Sequence, residues 1–478
     1  MSMPDQTSTT KPNILVLMTD QHRWDMLTCA GNSAVPTPNL DRIAAAGVRL
    51  ENAYCSYPVS LASRSSLLTG LYAHTTGAIN NRDRLDWRYR TLAHHFAQNG
   101  YLTGLIGKMH FGDAHNHGFE YYLTINDWLM YLGGRAQHYA NEIANHPLSP
   151  HFYDTVDDDG AGLPDVADLW LGKSPWAGQV ERFDFRSMAS QLPAEDHLDM
   201  FIARESIKFL KRYRNQSFFL ISSFMKPHTP LFAPREWAER YPVDQVRLPD
   251  PGDFSTYPQH VQDRIQHFLR IDPECRKAHM AGYMANLAFV DTCVGAVYAS
   301  LAELGLLDNT IVVYTSDHGE MHGTHGMFQK FCLFEPAVKV PLIVSYPKRI
   351  PRGRVSQALI EYMGLYPTLA ELSGTPAPSA LECSSFADVL TNPDACGPAA
   401  AFSEYNLRAR VCEYMIRTPQ YKYVYHQDAG AELYDLHEDP GEVSNLVQRA
   451  GTAGLVNRLR EQLFAWYDPN TNPFKKRE

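Results

Sequence analysis

A chain of 478 residues, 44% of them hydrophobic, can bury a sizeable core and reads as an ordinary globular protein. Its 43 Lys and Arg against 53 Asp and Glu leave a net charge of −10, which argues against a chain-wide nucleic-acid or anionic-membrane surface. Any anionic ligand must be held by a local cluster of cations. Eight cysteines (Cys29, Cys55, Cys275, Cys293, Cys332, Cys383, Cys396, Cys412) lie far apart with no C-x-x-C pair, and they read as mostly reduced and buried.

The opening MSMPDQTSTTKP has no apolar h-region, and the longest apolar runs look strand-sized. Neither a signal peptide nor a membrane span is expected. Cytoplasmic residence follows, or periplasmic or secreted residence for a chain whose leader was removed. Farther on, short apolar runs alternate with helical patterns, as strands buried on both faces of a parallel sheet do. NILVLMTD ends in Asp20, YLTGLIGKMH in Lys108 and His110, FFLISSFMKPH in His228, and IVVYTSDHGE in Asp317 and His318. Ligands of open α/β sheets bind outside the carboxyl ends of the strands, so one site could collect all four endings.

Residues 113–192 loosen into an elaborated loop region over the sheet, with the acidic run DTVDDDGAGLPD inside it. That run reads as a solvated turn in preference to a second cation site. After SGTPAPSALE the chain changes character. Residues 376–478 read as a smaller unit with short strands (YMIRTP, YKYVYH) and a last helix, GLVNRLREQLFAWY.

The strand ends supply a chemically matched set. Asp20, Asp317 and His318, with neutral oxygens from Gln21 or Asn81, suit Ca²⁺, Mg²⁺ or Mn²⁺ better than a structural zinc, because thiolates are absent. Arg64, Lys108 and Lys330, with His110 and His228, add cations without acidic neighbours in sequence. One divalent metal among several basic side chains suits a tetrahedral oxyanion ester, whose charge grows on its oxygens as it reacts. Each residue alone has a bland reading, such as a helix cap or a packed loop histidine. Independent caps, however, have no reason to match so well.

Seven ordered segments carry a resemblance: PNILVLMTDQ, TPNLDRIAAAGVRLENAYC, ASRSSLLTG, GKMHFG, KPHTP, SDHGEMHGTHGMFQK and ELYDLHEDPGEVSNL. Over nearly its whole length the chain resembles a type I sulfatase of the alkaline phosphatase superfamily. The resemblance implies an α/β fold, a large mixed and mostly parallel sheet sandwiched by helices, with a smaller C-terminal α+β subdomain. The expected division is a catalytic domain over 1–375 and the subdomain over 376–478.

The resemblance also implies roles. Ser60-Leu61-Ala62-Ser63-Arg64 matches the maturation motif, so Ser60 would become formylglycine, be hydrated to a diol and serve as nucleophile. A sulfated diol can expel sulfate by collapsing to the aldehyde, whereas a plain serine sulfate hydrolyses poorly. Asp20, Asp317, His318, Gln21 and the diol at position 60 would hold one divalent metal, Ca²⁺ before Mg²⁺ or Mn²⁺. Arg64 would hold the diol, Lys108 would brace it, and His110 would be the base that collapses it. A helix starting near Ala62 would present its N-terminus to the anion. His228 and Lys330 would contact the sulfate and the leaving oxygen, with His228 as general acid. Asn81 would border the metal or the anion.

Two departures stand out. Asp20-Gln21 replaces the usual aspartate pair, as in the choline-sulfatase and phosphonate-monoesterase branch, and serine stands where cysteine is commoner. Three histories fit that serine: a native serine-type enzyme matured in the cytoplasm, an engineered cysteine replacement, or an unmodified serine acting as in alkaline phosphatases.

Lys108 with His110 favours sulfate over the rival reading, phosphate or phosphonate ester hydrolysis. A non-catalytic sulfated-glycan binder would not need Asp317, His318 and His110 together. The expected partners are a sulfated small molecule or glycan and a maturation enzyme that makes formylglycine, with no nucleic acid and no membrane. A homo-oligomer stays open. Trp128, Tyr131, His138, Trp170 and Trp176 offer platforms for a sugar ring, and Arg135, Arg408, Arg410 and Arg417 offer charge for a uronate or second sulfate, although any single aromatic reads more readily as core and any single arginine as part of a solvated face.

Overall fold

The run NILVLMTD forms strand β1 (Asn13–Asp20), and every residue of it is buried. Its alternate side chains enter two cores, Leu15 and Leu17 on one face, Ile14, Val16 and Met18 on the other. That is why the run is continuously apolar: both faces of the sheet are covered. The computed structural model describes residues 11–112, 115–137 and 189–475.

The strands that follow are β2 (Val48–Tyr54), β3 (Leu102–Gly107), β4 (Tyr121–Leu123), β5 (Ala189–Ser190), β6 (Phe218–Pro227), β7 (Ala233–Pro234), β8 (Thr310–Ser316), β9 (Leu342–Ser345) and β10 (Arg354–Glu361). Eight of them make one sheet in the order β10-β2-β9-β8-β1-β6-β3-β4, parallel except for β9, which runs antiparallel to β2 and β8. The strands β8, β1, β6 and β3 are therefore parallel neighbours. Their carboxyl ends lie side by side, and these are the four endings singled out above.

Helices cover both faces. Labelled here are α1 (Pro38–Ala45), α2 (Ser60–Thr69), α3 (Leu198–Tyr213), α4 (Gln259–Leu269), α5 (Pro273–Glu303) and α6 (Ala453–Trp466). Helix α5 corrects the expectation that apolar runs are only strand-sized. By length and composition alone it could cross a membrane, but most of its residues are buried inside the protein. It is the helix at the centre of one core, packed on α3, α1 and β6.

The eight cysteines are less buried than expected. All eight are unpaired, but only Cys55, Cys293, Cys332 and Cys412 are buried, and Cys396 is exposed.

The C-terminal strands β11 (Ala401–Tyr405), β12 (Glu413–Arg417), β13 (Tyr421–His426) and β14 (Gly430–Asp435) form an antiparallel sheet in that order. Helix α6 packs on β12 and β13. His74, just after α2, joins this unit to the large sheet. Its Nδ1 meets Glu404 of β11 at 2.8 Å, and its ring stacks on Tyr467 at 4.0 Å.

Burial opposes charge on this ring, but the Glu404 carboxylate, helped by Glu382, outweighs it and raises the His74 pKa above its usual 6.5. A raised histidine contributes stability that is complete below about 6.5 and lost as pH rises through the folded value. His74→Gln is therefore expected to cost about 1–2 kcal/mol at pH 6 and progressively less toward pH 9. Thermal denaturation across that range checks it.

Candidate active site

The carboxylates at the ends of β1 and β8 face each other, and their oxygens divide into two sets. Asp20 Oδ2 accepts from Ser60 Oγ at 3.2 Å, Arg64 Nη2 at 3.1 Å and Lys108 Nζ. Asp317 Oδ2 accepts from Ser60 Oγ at 2.5 Å and Arg64 Nε at 2.9 Å. The other set faces away from these donors. Asp20 Oδ1 and His318 Nε2 are buried with no hydrogen-bond partner and lie 3.9 Å apart, while Asp317 Oδ1 is 3.7 Å from the same nitrogen.

His318 Nδ1 donates to Gly319 O at 3.0 Å, which leaves Nε2 as the lone-pair atom. Two buried ligand atoms without partners, converging with a third, are what a cation site requires. The donor set of Asp20, Asp317 and His318 fits one divalent metal.

Charge in this cluster follows from its burial. Burial pushes the Asp20 carboxyl up, but Lys108, His228, Arg64 and His318 around it outweigh that and hold it well below the usual carboxylate range. Asp317 is also held low, by His318, Arg64 and Lys108 against burial and Asp20. Burial depresses His318 to about 4 and His110 to about 3, the latter with help from Lys108 and Arg64. Both rings are neutral at physiological pH.

Helix α2 starts at Ser60, two residues before the expected start near Ala62. The first residues can be helical because Asn81 caps from outside: its Oδ1 accepts from Leu61 N at 3.3 Å. Ser60 thus sits in the first turn with Arg64 one turn on, and Arg64 Nε reaches Ser60 Oγ at 3.2 Å. The whole of α2 is buried.

Two glycines allow the chain to pass. A Cβ at Gly107, which has φ +109°, would stand 2.0 Å from Ser223 O, and one at Gly319 would stand 1.9 Å from Pro336 O.

His228 follows β6 directly. Its Nδ1 donates to Thr229 O at 2.7 Å, and Lys330 Nζ donates to its Nε2 at 3.2 Å. Lys330 also donates to Gln21 Oε1 at 2.8 Å, and burial depresses this lysine to about 8. His110, with φ +55°, has its buried Nδ1 without a hydrogen-bond partner. Ser60, Arg64, Lys108, His110, His228, Lys330, Asp20, Gln21, Asp317 and His318 are thereby brought together.

Several residues that support this site carry no sequence signal of their own. Ser223 accepts from Arg64 Nη1 at 2.8 Å. Tyr362 and Ser63 tie α2 to the backbone carbonyl of Asp317. Glu320 holds the Gln21 amide and accepts the backbone N–H of His322 and Gln329. Asn286 of α5 donates to the carbonyls of Pro227, His228 and Pro230. Only Glu320 could have been found, from its place in the DHGE segment.

The Sulfatase family model matches residues 12–375. The chain belongs to the sulfatase family. It is an enzyme of sulfate-ester hydrolysis, and an N-sulphoglucosamine sulphohydrolase C-terminal model matches residues 323–468. This sulfatase is 28% identical to an arylsulfatase of Clostridium perfringens, covering 95% of this chain and 94% of the relative. It is 29% identical to an N-acetylglucosamine-6-O-sulfatase of Bacteroides thetaiotaomicron, covering 96% and 87%.

Two solved structures share the fold. One is a protein in complex with its substrate D-glucosamine-2-N,6-O-disulfate (TM-score 0.76, 24% identity, 98% of this chain and 100% of that one). The other is the phosphonate monoester hydrolase of Agrobacterium radiobacter (TM-score 0.77, 22% identity, 95% of each).

Not every expected contact residue of the sulfatase reaches the site. Arg417 is a correction: it is buried, its Nε donates to Tyr54 Oη at 2.9 Å and lies 4.0 Å from Glu335, so it is occupied inside the protein. Arg417→Ala is expected to destabilise the sulfatase by about 3 kcal/mol with KM unchanged, read by chemical denaturation beside steady-state kinetics.

Trp128 is fully buried, its Nε1 donating to Asp196 O at 2.8 Å, and is core instead of platform. Tyr131 is 40% exposed, but Arg204 and Arg135 lie against its ring and its hydroxyl donates to Asp196. Arg408 pairs with Asp83 at 2.5 Å on the segment that follows Asn81, and Arg410 is exposed. His138, Trp170, Trp176 and the acidic run lie outside the described residues.

Proposed function

We propose that this sulfatase removes sulfate from a carbohydrate ester, with position 60 as the nucleophile. The observation that carries the reading is the split of the Asp20 and Asp317 oxygens: one set is on Ser60 and Arg64, while Asp20 Oδ1, without a partner, and Asp317 Oδ1, steadied by the N–H groups of Gln21 and His318, converge on the unpartnered His318 Nε2. Asp20, Asp317, His318 and Gln21 would hold one divalent ion. Oxygen-dominated donors favour Ca²⁺, which when bound would polarise sulfate oxygens and raise the acidity of the nucleophile. Formylglycine made from Ser60 by a maturation enzyme would supply a hydrated aldehyde as the attacking group.

The chain's own side chains do the rest. Arg64 fixes the Oγ of position 60 against the two carboxylates. Lys108, buried beside Asp20, supplies positive charge where negative charge grows on the transferred group. His110 is neutral and without a partner on Nδ1, so it takes the proton that regenerates the nucleophile. The proton for the leaving oxygen originates on the Lys330 ammonium, which burial depresses to about 8; His228, held well below its usual 6.5 by burial and by Lys330, accepts from that ammonium on Nε2 at 3.2 Å and relays the proton. Asn81, Arg408 and Lys330 would contact the rest of the substrate.

The carbohydrate assignment draws support from the N-acetylglucosamine-6-O-sulfatase relative. The fold is also that of a phosphonate monoester hydrolase, so the test compares ester classes. A panel of sulfated monosaccharides and oligosaccharides, choline sulfate, an aryl sulfate and a phosphonate monoester is assayed with protein co-expressed with a formylglycine-generating enzyme. Highest kcat/KM on a saccharide sulfate is expected. Highest kcat/KM on the phosphonate, or binding of sulfated sugar without turnover of any ester, overturns the reading.

A further inference from the structure

A second group of metal-type ligands lies where helix α4 meets the C-terminal sheet. His260 stands in the first turn of α4, while Glu413 opens β12 and is paired in register with His426, the last residue of β13. His260 Nε2 and His426 Nδ1 face each other at 3.1 Å. Glu413 Oε1 lies 3.7 Å from the first nitrogen and Oε2 lies 3.7 Å from the second. The side chains of Glu413 and His426 are 2% exposed and that of His260 is 22% exposed, so the cluster is closed on the sheet side and open on the helix side.

Around this triangle the supporting contacts have the form metal sites use. His426 Nε2 donates to Glu432 Oε1 at 3.0 Å, which orients the ring with Nδ1 toward His260; the proton the two facing nitrogens share is the one a bound ion would displace. Glu432 is itself held by the Tyr434 hydroxyl at 2.8 Å. Arg264 meets Glu413 on Oε1 at 3.3 Å, and Oε2 is the oxygen turned toward His426. Two carboxylates face one guanidinium, and against burial they raise His426 above its usual 6.5, so the place favours a cation. Ligands about 2.0–2.1 Å from a tetrahedral ion stand roughly 3.3 Å from one another, close to the spacing found here.

We propose that His260, His426 and Glu413 bind a borderline divalent transition ion of the Zn²⁺ class, with Glu432 orienting His426 and the fourth position open toward solvent. Two imidazoles and one carboxylate favour such an ion over Ca²⁺, which separates this site chemically from the oxygen-dominated one at Asp20 and Asp317. The ion would pin the start of α4 to β12 and β13.

The test is Zn²⁺ and Co²⁺ titration of the full-length protein after metal removal, with excess Ca²⁺ present, read by elemental analysis and by Co²⁺ visible absorption. About one equivalent of Zn²⁺ is expected in the wild type and in Asp317→Asn, whose change lies in the other cluster. His260→Ala and Glu413→Gln are expected to weaken it about 100-fold or more, and Glu432→Gln about 10–100-fold. His260→Ala is the safer variant because that side chain is partly exposed. Its melting temperature without Zn²⁺ should match the wild type, and only the wild-type value should rise when Zn²⁺ is added. No Zn²⁺ bound by the wild type would mean that the two rings share a proton instead. That result, or stoichiometry and affinity unchanged in His260→Ala, overturns the proposal.

Discussion

Ser60→Ala is expected to lower kcat/KM by about 10³-fold or more on any sulfate ester while leaving the melting temperature nearly unchanged. Deleting the nucleophile removes the atom that forms the covalent intermediate. The Oγ of Ser60 is held by Asp317 at 2.5 Å and by Arg64 at 3.2 Å, and these partners keep one another when it goes, since Arg64 still bridges Asp20 and Asp317. The loss should therefore be chemical and not structural.

Mass spectrometry of the peptide spanning position 60 belongs to the same experiment. A peptide two hydrogen atoms lighter than the serine form, in proportion to activity, is expected. Full activity with an unmodified serine would remove formylglycine from the reading and leave a direct serine nucleophile. Full activity of Ser60→Ala would remove the site assignment altogether.

The second large effect concerns charge. Lys108→Ala and His318→Ala should each abolish measurable turnover, by about 10²–10³-fold for the lysine on the scale of one lost electrostatic donor and more for the histidine. Lys108 lies beside Asp20, and His318 beside both Asp20 and Asp317. Lys108 is among the cations that hold Asp20 ionised, and His318 supplies the neutral nitrogen facing both carboxylates.

The two variants should part company on metal. His318→Ala is expected to lose metal affinity, so that added Ca²⁺ partly restores its activity, whereas Lys108→Ala should bind metal as before and stay inactive. Near-normal activity in either would show that the cluster is not the reaction centre. Circular dichroism beside each assay separates an inactive enzyme from an unfolded one. Both residues lie just past strand ends, so the hydrogen bonds of the sheet do not depend on their side chains.

Several parts of this protein were legible in its residue pattern because they depend on local chemistry. A strand buried on both faces must be continuously apolar, so β1, β3, β6 and β8 announced themselves, and the ionisable residue at each end stood out against the run. Adjacent order β8-β1-β6-β3 then turned four separate endings into one site. The two-residue error at the start of α2 has a specific cause: its cap comes from Asn81, a neighbour in space and not in the chain.

What tertiary structure alone decided are the long-range pairings. Arg417 looked like any other free cation until Tyr54 and Glu335 enclosed it, and Trp128 looked like a sugar platform until the core closed over it. Ser63 was one polar residue among four serines, yet it ties the nucleophile helix to Asp317. Asn286, on a long apolar helix, holds the loop that carries His228. A hydrogen bond or ion pair is a property of two atoms in space, and these partners are tens to hundreds of residues apart. The sequence by itself therefore determined the strand pattern and the chemistry at the strand ends. Which polar side chains are left open to a ligand, and which are consumed inside the protein, was decided only when the chain folded and their partners arrived.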